Sequence, residues 1–592
     1  MGSVEIFNLV NDTRVIMVFH QSGVERKYEY IYFGGFCELA VLHGRIEIQG
    51  YPVDTTNSSV SKPIVVSSFR KVKEQITITN ITNNMENGVL VDDGRLKRLF
   101  PDDEETIDRV YASVRKNSAV LYLLRNEPSL LLQLIAMYPN YFKLNPNTIE
   151  TRIFQNAAVL KKGCCSRDDC QLTNSYKTKV KEVVQKLSST NKGSIIKILG
   201  CGSNENGALA SCKYFVNTCL RIKNCHVYWA DLNVEAPEFT PPGVVSLTHV
   251  REPILVDTYL HSNADVVHAL YYGKSRVEGE DQRYVTMVSS ISQEFMKITQ
   301  RDKEKSYLLV MNTPPMRGVN KKDLITTIVG ITGPDEIILC CQGKPSRYMP
   351  SNWDGNRAVI VEPPMSSDED SEFMDNEAEK SEKRKILFSA YFSKFVHGIP
   401  DYFFTLNLSK WPSYHVDFSR VKLHLQGKQN TFEETTFDDA LNVVLVALCE
   451  RTSANNGGFS EHDLKKDTSL HVINHNYKGT LRRVNFRKTN LLFIGYGIIT
   501  NVNQVNRTFD ICTPIAREKL LKVNVLSKSG DFNIPSEILC LRGDKNFGYP
   551  RCSNDSIGWM GWNKDLSRYF DVNDKNDYRY YNDIEYKKIR ES

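Results

Sequence analysis

The feature that most constrains the fold is a strand, a glycine-rich turn, a helix and a second strand between residues 195 and 231. Ile195 to Leu199 is an apolar run, and the glycine-rich turn follows it. The next stretch carries apolar side chains at helical spacing: Leu209, Cys212, Val216, Cys219 and Leu220. A second run, His226 to Ala230, leads to Asp231. This order is typical of the opening of a doubly wound α/β domain.

Elements on either side extend this α/β domain. A helix is predicted before it, because apolar residues recur at helical spacing at Tyr176, Val180, Val183, Val184 and Leu187. Two later apolar runs, Tyr307 to Met311 and Ile337 to Cys341, fit further strands of the same sheet. Lys385 to Val396 has a helical pattern. We therefore place this domain at residues 175–400.

The 592 residues are too many for one compact core, so further domains are expected. Residues 1–174 contain short β-branched runs separated by turn residues, including Asn87-Gly88 and Asp93-Gly94, which suit tight hairpins. This spacing predicts a β-sandwich-like N-terminal domain. Strand signals return in residues 401–592, where Asn490 to Asn501 is the clearest, and predict a mixed C-terminal domain.

An acidic run lies near the end of the α/β domain. Residues 366–382 hold eight acidic residues against one basic residue, Lys380. Such a run cannot bury itself and predicts a solvated, mobile loop. Ser366 and Ser367 leave open a phosphorylatable linker. The last twenty residues are expected to form a surface tail.

Composition narrows the class of protein. Lys and Arg total 75 against 70 Asp and Glu, so the net charge of +5 is compatible with an anionic partner. No apolar run approaches the roughly 20 residues that span a bilayer. The first residues, MGSVEIFNLV, lack an apolar signal core. We expect an intracellular protein without a membrane partner.

The fourteen cysteines predict free buried thiols rather than a disulfide framework. Cys164, Cys165 and Cys170 form the one cluster that suggests zinc. Because no second CxxC pair and no nearby histidine accompany it, we predict no metal site there.

The glycine-rich turn resembles a phosphate-binding loop that has lost its charged residues. Such a loop needs GxxxxGK followed by Ser or Thr, because the Lys neutralises the terminal phosphates and the hydroxyl holds magnesium. Ala208 and Leu209 stand where these two residues belong, and Glu205 adds a negative charge. The full segment is Gly202, Ser203, Asn204, Glu205, Asn206, Gly207, Ala208 and Leu209. A plain strand-to-helix turn explains this segment about as well as a degenerate nucleotide loop.

The block Glu238-Phe239-Thr240-Pro241-Pro242-Gly243 is unusual. It resembles a segment of the nucleolar polynucleotide 5'-hydroxyl kinase family, which acts on pre-ribosomal RNA and is related to the pre-mRNA cleavage-factor kinase. Other blocks of the chain are also similar to segments of this family and occur in the family's order: Gly35 to Leu39, Tyr271 to Gly273, Asn312 to Pro314, Pro412 to Tyr414 and Gly495 to Val502. The resemblance covers most of the chain.

The resemblance implies a central P-loop-type, parallel-sheet kinase domain at residues 175–400. An N-terminal β-sandwich-like domain (1–174) and a C-terminal mixed α/β domain (401–592) flank it. It also implies ATP and Mg²⁺ as cofactors, bound at residues 202–209. Pre-ribosomal RNA and an endonuclease of the rRNA-processing complex are the implied partners, in the nucleus and nucleolus.

This sequence departs from the family pattern where the chemistry lies. The family's Lys and Ser/Thr fall on Ala208 and Leu209, and the residues of its Asp-x-Gly-Gln motif fall on Asn233, Glu235 and Ala236. The resemblance leaves Asp231 and Asn233 as the candidate catalytic residues, although Asn233 cannot accept a proton as a carboxylate does. A displaced cation, Lys213, lies further along the helix and is expected to point away from the loop.

Two functions follow from this combination. In the first, the chain is a pseudokinase that acts as a scaffold for RNA and a nuclease. In the second, it is an active ATP-dependent RNA 5'-hydroxyl kinase with a non-standard loop. An unrelated binding role is a third, weaker alternative. The basic stretch Leu481 to Lys488, and Lys383, Arg384 and Arg420, either contact RNA phosphates or are solvated.

Overall fold

The structure is a computed structural model, and the part it describes lies within residues 4–535. Short gaps interrupt it, and the longer undescribed stretches are 125–143, 162–173, 341–357, 362–376, 394–412, 426–440 and 452–481. The chain divides into two compact units: the first comprises Met1–His397, Arg451–Gly457 and Arg487–Phe493, and the second the remainder. Residues 1–174 and 175–400 both fall almost entirely in the first unit, so the three-domain division stays a prediction.

In the residues that the structure describes, the N-terminal part of the first unit is one hydrogen-bonded sheet of ten strands with two helices. Its strands are β1 (Val4–Asn8), β2 (Arg14–Phe19), β3 (Glu29–His43), β4 (Arg45–Ile48), β5 (Tyr51–Asp54), β6 (Ile64–Ser68), β7 (Ile76–Asn80), β8 (Ala119–Leu124), β9 (Ile149–Phe154) and β10 (Ala157–Leu160). Its helices are α1 (Asp93–Leu99) and α2 (Glu104–Ser113). Short 3₁₀ turns occupy Pro101–Asp103 and Pro146–Thr148.

The long strand β3 organises this sheet. Its first half pairs with β7 and β10, and its second half pairs with β6 and β8. The predicted β-rich character is confirmed, while the sandwich-like packing stays a prediction. The hairpin predicted at Asp93-Gly94 is wrong, because Asp93 begins α1. Leu96 of this helix is buried in the core, so tertiary packing outweighs the local Asp-Gly turn signal. Asn87-Gly88 lies outside the described residues.

The second part of the first unit is an α/β sheet. Its elements are α3 (Asn174–Ser189), β11 (Ile195–Gly202), α4 (Glu205–Cys219), β12 (Cys225–Asp231), β13 (Val244–Val250), β14 (Asp265–Tyr271), α5 (Gln282–Arg301), β15 (Ser306–Asn312), α6 (Lys321–Thr332), β16 (Glu336–Cys340), β17 (Ala358–Val361) and α7 (Glu377–Ser393). The strand order is β17-β16-β11-β15-β12-β13-β14. The first five of these strands run parallel, whereas β13 and β14 are antiparallel additions.

Helices cover both faces of this sheet, as a parallel sheet requires. Helices α3 and α4 pack on one face against Ile198, Trp229 and Val310. Helices α5 and α6 pack on the other face against Leu199 and Leu309. The predicted strand–turn–helix–strand order is confirmed, as are the strands near residues 307 and 337. The carboxyl ends of β11, β12 and β15 therefore meet at one edge of the sheet.

Helix α7 begins earlier than predicted. It was expected from Lys385, but it starts at Glu377, so residues 377–382 of the acidic run are helical. The expectation of a loop is wrong for these residues, because Ala, Glu and Lys are strong helix formers and Lys380 has a tertiary partner. Residues 366–376 lie outside the described part.

The second unit consists mainly of strands. They are β18 (Ser413–Asp417), β19 (Lys422–Leu425), β20 (Val444–Glu450), β21 (Arg482–Arg483), β22 (Leu492–Asn503), β23 (Thr508–Cys512) and β24 (Val525–Lys528). The first two residues of β22 belong to the first unit. A short helix, α8 (Arg517–Leu520), and a 3₁₀ turn at Phe418–Arg420 accompany the strands. The order is β22-β20-β24-β19-β21, with β23 beside β22 and β18 beside β23. Strand β22 confirms the strand predicted at Asn490 to Asn501.

Of the basic stretch 481–488, only Arg482 and Arg483 are described, as the strand beside β19. The predicted tail lies outside the described residues. Within the described ranges, no helix is both long enough and apolar enough to cross a bilayer.

Candidate functional site

The candidate site lies at the carboxyl ends of the parallel strands, where open α/β sheets bind their ligands. Gly202 ends β11, Asp231 ends β12 and Asn312 ends β15. Asn312 is the register partner of Asp231 on one side and of Gly200 on the other. The fold thus brings the predicted loop and the predicted strand-end acid to one edge.

Packing alone explains the first glycine of the loop. A Cβ atom added at Gly202 would overlap the carbonyl oxygen of Cys340 on β16. Because that neighbour is backbone, it cannot rotate away as a side chain would. Gly202 is therefore required for β11 and β16 to pair, whether or not a phosphate binds. Ser203 and Asn204 lie outside the described residues, and Glu205, Asn206 and Gly207 are described only as the backbone of α4.

Ala208 and Leu209, which stand at the family's Lys and Ser/Thr positions, belong to the hydrophobic core. Their relative exposures are 4% and 3%. Both side chains pack in the apolar cluster between α3, α4 and the sheet, which includes Tyr176 and Leu308. The start of α4 therefore contributes apolar packing at the two positions where a nucleotide loop needs a cation and a hydroxyl.

Asp231 is fully buried and uses both of its carboxylate oxygens inside the protein. Oδ1 accepts a hydrogen bond from Trp229 Nε1 at 2.7 Å. Oδ2 accepts the backbone N–H groups of Glu238 and Phe239 at 3.0 and 3.2 Å. Burial raises the pKa of Asp231 to about 7. The three N–H donors favour the charged form and lower the pKa, but the effect of burial is larger. The observed contacts of Asp231 anchor the segment that begins at Glu238.

Glu238 is the centre of a buried ionic cluster. Its Oε1 lies 3.0 Å from Lys213 Nζ and 2.8 Å from His261 Nε2. Thr258 Oγ1 donates to its Oε2 at 3.1 Å. Burial opposes ionisation of Glu238, but the Lys213 ammonium and His261 outweigh this effect and lower its pKa. The Lys213 ammonium therefore forms an ion pair with the Glu238 carboxylate.

Sequence reasoning missed this ionic cluster. Its signal was present in two features: the one basic residue of helix α4, Lys213, among apolar neighbours, and a glutamate that opens the unusual block at residues 238–243. Buried charges are stable only when they are paired, so each of these residues implied a partner.

The second candidate catalytic residue, Asn233, is also fully buried. Its Oδ1 accepts the backbone N–H of Glu235 at 3.2 Å and fixes a turn after β12. The Glu235 carboxylate lies 3.2 Å from Lys380 Nζ and 3.6 Å from an Arg384 nitrogen, both on α7. Arg384 was expected to contact phosphate or solvent, but its partner here is a carboxylate. Lys383 is half-buried, and Arg420 is exposed.

The described residues do not fit ATP and Mg²⁺, which the P-loop kinase family implies. Ala208 and Leu209 offer no polar group, and the Asp231 oxygens are occupied by internal donors. The buried Nδ2 of Asn312 has no hydrogen-bond partner within the described residues. This amide and the backbone N–H groups at the start of α4 do not supply the cations that a triphosphate requires. In the described ranges, no group of three or more His, Cys, Asp or Glu side chains is placed to hold a metal ion. Cys164, Cys165 and Cys170 lie outside those ranges.

Comparison with known proteins places this region in a family. The model of the mRNA cleavage and polyadenylation factor CLP1 P-loop matches residues 202–394. In overall structure, the chain is similar to a solved complex of Clp1p with Pcf11p (454–563). That match has 12% identity and a TM-score of 0.49, and covers 86% of this chain and 98% of Clp1p.

Curated relatives point to the same group. The polynucleotide 5'-hydroxyl-kinase NOL9 of Danio rerio is 25% identical over 296 residues, which cover 47% of this chain and 39% of the relative. Polynucleotide 5'-hydroxyl-kinase nol-9 of Caenorhabditis briggsae is 22% identical over 384 residues, 63% of this chain and 65% of the relative. The chain thus spans less than two thirds of either relative. The chain is similar to the polynucleotide 5'-hydroxyl-kinases NOL9 and GRC3, and its residues 202–394 match the CLP1 P-loop family model.

Proposed function

We propose that this chain is a catalytically impaired polynucleotide 5'-hydroxyl-kinase homologue that acts in pre-ribosomal RNA processing. It would work as a pseudokinase scaffold for RNA and an endonuclease partner, in the nucleus and nucleolus. The observation that carries the proposal is the burial of Ala208 and Leu209 in the apolar core at the start of α4.

This burial bears directly on phosphoryl transfer, which depends on positioning and on cations that neutralise the terminal phosphate. A hydrogen bond to a charged group is worth about 1.5–3 kcal/mol, so the missing Lys alone weakens nucleotide binding roughly ten- to hundredfold. Loss of one donor aimed at the transition state typically slows a reaction by about 10²–10³-fold. The missing hydroxyl removes a magnesium ligand as well.

The RNA part of the proposal rests on the relatives and on charge. The relatives are named as kinases of polynucleotide 5'-hydroxyl ends. This chain carries a net charge of +5, which favours a polyanionic partner. The role in pre-ribosomal RNA, the nuclease partner and the nucleolar location extend the resemblance of the sequence to the nucleolar kinases.

The test measures nucleotide binding and phosphoryl transfer on the purified full chain. Titration calorimetry with ATP and Mg²⁺ is expected to give at most millimolar affinity, and labelled ATP is expected to transfer no phosphate to a 5'-hydroxyl RNA. The same RNA should bind without ATP. The Danio rerio relative provides the positive control.

Micromolar ATP binding together with label transfer would overturn the pseudokinase and establish the alternative, an active ATP-dependent kinase with a non-standard loop. Normal spacer cleavage in pre-ribosomal RNA after depletion of the protein would contradict the processing role. The double variant Ala208→Lys/Leu209→Ser restores the two family residues, and its ATP binding and phosphate transfer can be compared with those of the unmodified chain.

A further inference from the structure

The hairpin β4–β5 packs against the second half of α4. At its turn, Asn217 Nδ2 of α4 donates a hydrogen bond to Gln49 O at 3.1 Å. The contact leaves no spare room, because a Cβ atom added at Gly50 would lie 2.6 Å from Thr218 Oγ1. The hairpin and the helix therefore hold a fixed position relative to each other.

Helix α3 lies beside the same part of α4. Tyr176 of α3 is fully buried, and its ring centroid lies 6.2 Å from that of Tyr214 on α4. Lys177 and Lys181 of α3 are exposed to solvent. They are four residues apart, which separates them by about 6 Å along the helix axis and places them on one helix face. Each can therefore contact a different group of an extended ligand.

Four cations from these elements surround the carboxylate of Glu47 on β4. They are Lys177 and Lys181 of α3, Arg221 directly after α4, and Arg45 of β4. Burial raises the pKa of Glu47, whereas the charges of these four residues lower it, which shows that all four act on one carboxylate. Arg221 is exposed, as are the two lysines.

Positive charge exceeds negative charge on this surface. Among the described residues, the cations contributed by α3 and α4 share one carboxylate, that of Glu47. Arg45 also lies 3.9 Å from a second carboxylate, that of Asp54. Glu182 of α3 lies 3.4 Å from Lys179 and is balanced by it. Four cations thus face two carboxylates.

An RNA backbone has the chemistry that fits such a surface. Exposed Lys and Arg side chains bind phosphates through charge and without regard to base sequence. Helix α4 starts beside the carboxyl end of β11 and runs back towards the amino ends of the parallel strands. Arg221, after its last turn, therefore lies away from the edge where a P-loop kinase would hold its nucleotide.

We propose that Lys177, Lys181 and Arg221 form a surface that binds the phosphate backbone of single-stranded RNA. The inference rests on the proposed function, which makes RNA the partner of this chain. It places RNA binding apart from the degenerate loop, so a chain that transfers no phosphate still holds RNA.

The test removes the three exposed cations together. The triple variant Lys177→Ala/Lys181→Ala/Arg221→Ala of the full chain is titrated with a single-stranded RNA of mixed sequence over a series of salt concentrations. Each lost phosphate contact lowers the slope of log K against log salt by about 0.7, so the slope should fall by about 2. Affinity at low salt should fall about tenfold or more.

Lys297→Ala/Arg301→Ala/Lys303→Ala is the matched control. It also removes two lysines and one arginine that are exposed. These residues lie at the end of α5, which packs on the opposite face of the sheet. The control has the same net charge as the test variant, so a general effect of charge would weaken both equally. We expect its salt slope to match that of the unmodified chain.

A second variant gives a change in the opposite direction, which misfolding cannot mimic. Glu47→Gln removes the central negative charge but can still accept the hydrogen bond of the Tyr214 hydroxyl. It should bind the RNA about twofold or more tightly than the unmodified chain. The gain should disappear when the three alanine substitutions are added, because the cations that it unmasks are then absent.

Two results would overturn the proposal while leaving RNA binding by the chain intact. One is an unchanged salt slope in the folded triple variant, and the other is an equal loss in the triple variant and its control. A polyglutamate peptide is titrated in parallel. If the triple variant loses the peptide but keeps the RNA, the surface belongs to an acidic protein and the proposal is wrong.

Failure of the proposed function gives different results. If the unmodified chain binds no RNA, both the RNA scaffold and this surface are refuted. Phosphate transfer from ATP would refute the pseudokinase alone, since the salt slopes of the variants do not depend on ATP.

Discussion

Glu238 shows how a single buried charge in this protein depends on its neighbours. Its side chain is fully buried, and Lys213, His261 and Thr258 supply the contacts that replace water. A buried ion pair contributes little net stability, but removal of one partner leaves the other charge uncompensated. The cluster therefore makes a sharp prediction about single and double substitutions.

Lys213→Met is expected to lower the free energy of unfolding by about 3–5 kcal/mol, because it strands the Glu238 carboxylate. Lys213→Met combined with Glu238→Gln should cost less than the sum of the two single changes. Chemical denaturation of the full chain measures these differences. Lys297→Met is the control, since the exposed pair of Lys297 and Glu294 should contribute less than about 1 kcal/mol. Equal losses for Lys213→Met and Lys297→Met would contradict the buried pairing.

At the scale of elements, the strands and helices with an uninterrupted pattern could be predicted from sequence. The apolar run at residues 195–199 became β11, and the helical spacing after it became α4. The antiparallel strands β13 and β14 and the helix α5 went unpredicted. Helix α5 does carry apolar residues at helical spacing, at Tyr284, Val288, Ile291 and Phe295, so its sequence pattern indicated it. Strand direction depends on pairing with distant residues, and local periodicity does not encode it.

Two glycines near the α/β sheet, one in strand β11 and one in helix α6, are expected to respond in opposite ways to substitution by alanine. Gly202→Ala is expected to destabilise the protein by about 1–3 kcal/mol, because its Cβ would overlap the Cys340 carbonyl and push β11 from β16. Gly330→Ala in α6 is expected to stabilise it by about 0.5–1 kcal/mol, since a Cβ there meets nothing within 4 Å and alanine favours helix.

Thermal or denaturant unfolding of the two alanine variants gives the comparison. Stabilisation by Gly202→Ala would show that β11 and β16 approach less closely than described and that packing does not require the glycine.

At the scale of the whole molecule, the buried acids tie stability to pH. Asp231 has a folded pKa raised to about 7 from an ordinary value of 3.8. Between these values the folded state holds a proton that the unfolded chain has lost, so stability falls as pH rises through this window. Glu238 acts in the opposite sense: its lowered pKa gives stability that is present above its ordinary value and lost as pH falls through the folded one.

Asp231→Asn is expected to remove the decline in stability above about pH 4. Relative to this variant, the unmodified chain should lose about 2 kcal/mol of unfolding free energy between about pH 5 and pH 7. Denaturant titrations of both proteins at a series of pH values measure the difference. Parallel pH profiles would contradict a protonated Asp231 in the folded protein, whatever the absolute stability of the variant.

The order of strand, turn, helix and strand follows from adjacent residues alone, and so does the absence of Lys and hydroxyl groups at residues 208 and 209. Which charges meet depends instead on how the elements pack together. Glu235 joins Lys380 and Arg384, and Glu238 joins Lys213, across long separations in the chain. Such pairs form because burial withdraws water from both partners, and burial is settled when the sheet, helices and turns have packed together.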